Sequence, residues 1–130
     1  VLADAFTADD VVRPITLAAR VSVANAQPFL TIGAAVVVQF FSGNLILSVS
    51  GNDAISTPLA LGAGADVAIA LRPADDAYAI FVNGSKADGG ALSTGYAGGQ
   101  FAGPLDDLTA GGSLAEPLRI YKGQIPVGFD

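Results

Sequence analysis

Short runs in which apolar and polar residues alternate, each closed by Gly, Pro, Asn or Asp, leave this chain few ways to fold. In residues 15–24, Ile15, Leu17, Ala19, Val21 and Val23 fall on one side, with Thr16, Ala18, Arg20 and Ser22 on the other. A period of two marks a half-buried strand, because successive side chains point to opposite faces. It recurs in 66–72, with Val67, Ile69 and Leu71 inward, and in 77–83, with Tyr78, Ile80 and Val82 on one face. Residues 29–32, 35–41 and 45–50 are apolar runs of strand length. Ser42-Gly43-Asn44 reads as a three-residue hairpin loop, and Asn83-Gly84 as a type I′ turn needing positive φ twice. Pro73 to Asp76 reads as a tight turn. Residues 51–64 read as a turn-rich crossing around Leu59-Ala60-Leu61. Residues 88–112 read as a Gly-rich, weakly patterned stretch anchored by Tyr96, Phe101 and Leu105. Order returns at 118–121 and 125–129. No segment keeps a 3.6-residue period long enough for a helix; the nearest candidate, 105–110, is too short. About eight or more strands so punctuated predict an all-β fold, an antiparallel β-sandwich or jelly roll. Its expected divisions are an N-terminal arm (1–14), the sandwich (15–122), and a C-terminal strand or arm (123–130).

A length of 130 residues fits one domain. The chain has no Cys and no His, which removes disulfides, thiolate and imidazole nucleophiles or bases, and the usual soft-metal ligands. Folding then depends on apolar burial and strand pairing. The net charge is -6, and the basic residues Arg13, Arg20, Arg72, Lys86, Arg119 and Lys122 are scattered along the sequence. Neither nucleic acid nor an anionic membrane is an expected partner. The apolar stretch 34–49 is broken by Gln39 and by Ser42-Gly43-Asn44, so it reads as a hairpin and not a membrane helix. Mean hydropathy is +0.54, high for a small domain with so much surface to cover. Either the surface is unusually rich in Ala and Gly, or part of it is buried against other subunits; burial in a homo-oligomer, such as a trimer, is the favoured expectation. Val1 to Asp10 shows no basic leader, and this, with the lack of cysteine, points to synthesis in a cytoplasm.

Candidate site residues are few. A glycoside hydrolase needs two carboxylates flanking the scissile bond, and Glu116 is the sole Glu, without an acidic partner at suitable spacing. No catalytic residue and no required cofactor is expected. Weak calcium candidates are Asp75 with Asp76, Asp106 with Asp107, and Asn52 with Asp53; turn chemistry explains each of them as well. Asn83-Gly84-Ser85 matches a glycosylation acceptor that the hairpin already explains. Tyr78 and Tyr121 sit in alternating patterns expected to bury them, leaving Tyr96 as a glycan platform or a loop anchor. The two arms carry Leu2, Phe6, Val11 and Val12, then Ile125, Val127 and Phe129. Apolar residues in otherwise fraying arms predict docking, either on the domain's own open sheet edge or on a neighbouring subunit.

Taken together, ITLAARVSV, FLTIG, VVVQFFSGNLILSVSG, DVAIALRPADDAYAIFVNGSKADG and PLRIYKG occur in an order that resembles the concanavalin A-like, laminin-G-like jelly roll. The Tyr-bearing hairpin closing in Val-Asn-Gly and the final Leu-Arg-Ile strand carry most of the likeness. The Trp that this family usually places ahead of that hairpin is absent. The resemblance implies a sandwich of the kind used in glycan binding, adhesion, polysaccharide hydrolysis and bacteriophage virions, so fold alone does not fix function. The expected function is a non-enzymatic structural protein of a bacteriophage particle, a decoration, cement or fibre component that contacts its own copies and other virion proteins. The alternative is an extracellular carbohydrate-binding or adhesion module.

Overall fold

The computed structural model describes residues 13–21, 28–32, 36–41, 43–49, 53–58, 65–92, 108–110 and 119–130. Every regular element among them is a strand, save one 3-10 turn at Pro73–Asp75. The strands are β1 (Ile15–Val21), β2 (Pro28–Ile32), β3 (Val36–Phe41), β4 (Asn44–Val49), β5 (Asp53–Pro58), β6 (Ala65–Arg72), β7 (Ala77–Val82), β8 (Ser85–Ala91), β9 (Leu108–Ala110) and β10 (Arg119–Lys122). They form two antiparallel sheets in the orders β10-β1-β6-β7-β8 and β5-β4-β3-β2-β9. Each sheet holds one meander, β6-β7-β8 or β2-β3-β4-β5, and takes in one strand from the C-terminal part of the chain beside β1 or β2.

The alternation seen in the sequence builds the core. Ile15 and Leu17 of β1, Val67, Ile69 and Leu71 of β6, and Tyr78 and Ile80 of β7 share one apolar cluster with Leu30, Ile32, Val36, Val38, Leu45, Leu47 and Val49 of the other sheet. One cluster drawing on both sheets makes each the lid of the other. Both charged edges of the first sheet fit the need to discourage edge-to-edge pairing: β8 carries Lys86 and Asp88, and β10 carries Arg119 and Lys122.

Turns follow the local chemistry. Asn83 and Gly84 adopt φ of 50° and 84°, as a type I′ turn requires, and the Asn83 Oδ1 accepts from the Asp66 amide at 3.0 Å. After Pro73–Asp75, Asp76 takes φ 50° and reverses the chain into β7. Three expectations need correction. Asn44 pairs with Phe41, so it belongs to β4 and not to the loop, and Gly43 before it takes φ 77°. The crossing at 51–64 contains a strand, β5, which alternation did not mark because its sequence is DAISTP. The Gly-rich stretch is also more regular than its composition suggests. β8 runs through Gly89 and Gly90 because it pairs along the whole of β7, and β9 lies within the later part.

Ile69 sits in the middle of the central strand and is 2% exposed. Ile69→Ala is expected to lower unfolding free energy by about 3 kcal/mol. A shift in urea midpoint at unchanged slope would show this; no shift would place Ile69 outside the core.

Candidate functional site

The first sheet is unusual in burying both faces of its two central strands. β6 and β7 send Val67, Ile69, Leu71, Tyr78 and Ile80 inward, yet Ala70, Ala79 and Phe81 on the opposite face are also buried. In an antiparallel pair, directly opposed residues share a face. The register therefore lines up rows across the outer face: Arg119, Ala18, Ala68, Phe81 and Lys86 in one, and Tyr121, Thr16, Ala70, Ala79 and Gly89 in the next. A bulge between Ile80 and Phe81 in the β7–β8 pairing keeps both Lys86 and Gly89 opposite outward residues. The floor is mostly Ala, so a chain segment can approach closely.

That segment is the protein's own C-terminal arm. Gly123, at φ 78°, turns the chain out of β10, and its amide donates to the Pro14 carbonyl at 2.6 Å. The Thr16 hydroxyl donates to the Gln124 carbonyl at 2.8 Å, which satisfies a side chain only 6% exposed. Pro126 to Phe129 then form a turn closed by the Phe129 amide on the Pro126 carbonyl at 3.3 Å. Gly128 supplies the positive φ, 89°, at its third position. The turn leaves Val127 fully exposed and drives Phe129 onto Ala70, Ala79 and Phe81. Ile125 packs half-buried against the same cluster.

Cations clamp the end of the arm. The Arg72 guanidinium lies 4.4 Å from the Phe129 ring centroid, within cation–π range. It also pairs with Asp130 at 3.2 Å and with Asp75 at 3.4 Å. From β8, the Lys86 ammonium donates to the Phe129 carbonyl at 2.6 Å. Gly89 makes that reach feasible: a Cβ there would stand 2.6 Å from the Lys86 Cε. The arm thus crosses the sheet from β10 to β8 with anchors on Thr16, Ala70, Ala79, Phe81 and Lys86.

Beside the arm, a groove of about 480 Å³ remains open. Its floor is Ala18, Ala68 and Phe81, and the Pro126–Val127 turn forms one wall. The opposite wall carries the Arg20–Asp66 ion pair, 3.0 Å long. Arg119 stands at the β10 end; it has no hydrogen-bond or ion-pair partner among the described residues.

The residues singled out from sequence are dispersed. Phe129 is buried, Ile125 half-buried and Val127 exposed, all on a sheet face and not on a sheet edge. The segment expected to resume a strand at 125–129 has none, because Pro126 and the 126–129 turn take it off the ladder. Tyr78 is buried as expected, its hydroxyl donating to Asp88 at 3.2 Å. Tyr121 is not: it is 40% exposed, because Ile120 takes the core side opposite Leu17 and turns Tyr121 outward beside Thr16. Asp75 is occupied by Arg72, and Asp76 Oδ1 is closed to solvent with no hydrogen-bond partner among the described residues. No group of three or more acidic side chains among the described residues is arranged to hold a metal. Leu2, Phe6, Val11, Val12, Asn52, Tyr96, Asp106, Asp107 and Glu116 lie outside the described residues. Sequence reasoning missed the seat itself: Ala68, Ala70, Ala77, Ala79 and Phe81 are apolar where a solvated face would be polar, and Arg72 and Lys86 flank them.

Phe129→Ala is expected to cost about 2 to 3 kcal/mol of stability from lost burial, with Phe129→Leu recovering most of it in urea melts. Equal midpoints for the wild type and the Ala variant would mean that the arm does not pack. Because Asp75 already pairs with Arg72, calcium is expected to raise the melting temperature no more in the wild type than in an Asp75→Asn, Asp76→Asn variant; a rise of several degrees that this variant abolishes would show a cation bound at the pair. No protein-family model matches this chain, and no curated protein sequence matches it significantly.

Proposed function

We propose that this chain is a non-enzymatic structural and interaction protein on a concanavalin A-like jelly roll, acting as a decoration, cement or fibre component of a bacteriophage virion. The architecture supports the jelly-roll reading, since each sheet combines one meander with a strand from late in the chain, and both sheets supply the shared core. The observation that carries the functional reading is the contact surface on the first sheet. Fully exposed Val127 and 40% exposed Tyr121 stand on the same face as the Ala-floored groove. Apolar side chains grouped on one face favour burial against another subunit or a partner protein. The high mean hydropathy points the same way.

A second reading, a glycan-binding or adhesion module, is favoured by Tyr121 itself. Its outward ring is of the kind that stacks on a sugar, and Arg119 stands beside it in the strand. Sedimentation at micromolar concentration separates the two. The structural reading expects an oligomer, or assembly on adding the partner particle, that is lost in a Tyr121→Ser, Val127→Ser double variant. A monomer that binds a glycan array through Tyr121 would overturn it in favour of the adhesion module.

A further inference from the structure

We propose that the groove beside the C-terminal arm is a docking site for a peptide segment of another protein in which an aromatic residue is followed by an acidic one. This rests on reading the domain as a surface-presenting module and names the chemistry of what it presents to. The arm shows what this sheet face accepts. Phe129 lies on an Ala floor against Phe81, under the Arg72 guanidinium, and the next residue, Asp130, pairs with that same guanidinium. Aromatic ring, small-residue floor, cation and following carboxylate form one unit of recognition.

The groove repeats these parts one row over. Ala18 and Ala68 continue the floor, and Phe81 borders both the arm and the groove. Arg119 stands opposite Ala18 in the register, at the groove's end, in the role that Arg72 plays for the arm. The two differ in occupancy. Arg72 is already paired with Asp75 and Asp130, whereas Arg119 has no partner among the described residues. Arg20 at the opposite wall is neutralised by Asp66, so the uncompensated positive charge in the groove belongs to Arg119. A carboxylate is the ligand group that a lone guanidinium recognises best, by paired N–H donors. The Ala floor between the Val127 wall and Phe81 selects for a flat apolar side chain next to it.

The test uses the full chain and a fluorescein-labelled, amidated peptide Gly-Ser-Gly-Phe-Asp-Gly-Ser, followed by fluorescence anisotropy. Saturable binding is expected, weakened about ten-fold or more when Asn replaces the peptide's Asp or Ala its Phe, and weakened as salt is raised. Arg119→Ala is expected to weaken binding by a similar factor, and Ala68→Leu, which fills the floor, to abolish it. Arg72→Ala, which loosens the clamp on Phe129 and Asp130 without removing a residue of the groove lining, is expected to weaken binding less than Arg119→Ala does. Binding lost in Arg72→Ala but kept in Arg119→Ala would mean that the peptide displaces the arm, and would overturn the groove assignment. Self-association abolished by Ala68→Leu would assign the groove to a second copy instead, and overturns it too. An intact oligomer that binds no peptide at millimolar concentration sinks the groove proposal while leaving the assembly reading in place.

Discussion

Two-sided burial of β6 and β7 is the constraint on which the first sheet depends. A strand in a two-layer β protein commonly buries one face and wets the other. Here the inner face of β6 and β7 meets the opposing sheet, while residues 124–130 of the same chain cover Ala70, Ala79 and Phe81 on the outer face. The arm is therefore a third, partial layer. It spans all five strands of the sheet, tying the β10 edge to the β8 edge through side-chain and carbonyl contacts without adding a strand of its own.

That layer also explains an odd distribution of residue sizes. The outward positions of β1, β6 and β7 hold Ala18, Ala68, Ala70, Ala77 and Ala79, with Phe81 the one large apolar residue. Small side chains there lower the height of the floor so that the arm and Phe129 come within packing distance. The charged residues are placed around it to the same end. Arg72 combines a ring contact with two carboxylates, a combination to which a planar guanidinium with five N–H donors is better suited than an ammonium. Groove and arm then use the same face side by side, with Phe81 common to both.

Much of the inner architecture was legible in the sequence, and the outer face was not. Val67, Ile69 and Leu71, and likewise Leu45 and Leu47, lie inward as the period of two requires, since the pleat leaves no other arrangement. Asn83-Gly84 forms the turn that its chemistry demands. β5 and the latter half of β8 escaped notice because DAISTP and the Gly89-Gly90 pair lack strand-like side chains, and their extended state is imposed by neighbours in the ladder. The outward face of Tyr121 is not legible for a simpler reason: in a four-residue strand with Ile120 and Tyr121 adjacent, only the pairing partner decides which one goes inward. The arm's seat depends on residues about 50 to 60 positions away, and an alternating Ala pattern carries no signal for what covers it until the register brings Ala70 and Ala79 together.

The central physical claim is that the C-terminal arm is an integral layer on the outer sheet face. Proton NMR of the wild-type chain tests it most directly, through cross-relaxation between the Phe129 ring and the methyl groups of Ala70 and Ala79. Strong cross-peaks, with both methyl resonances moved upfield by the ring, are the predicted result. Ring resonances of Phe129 at random-coil positions, with no cross-peak to either alanine, would contradict the account.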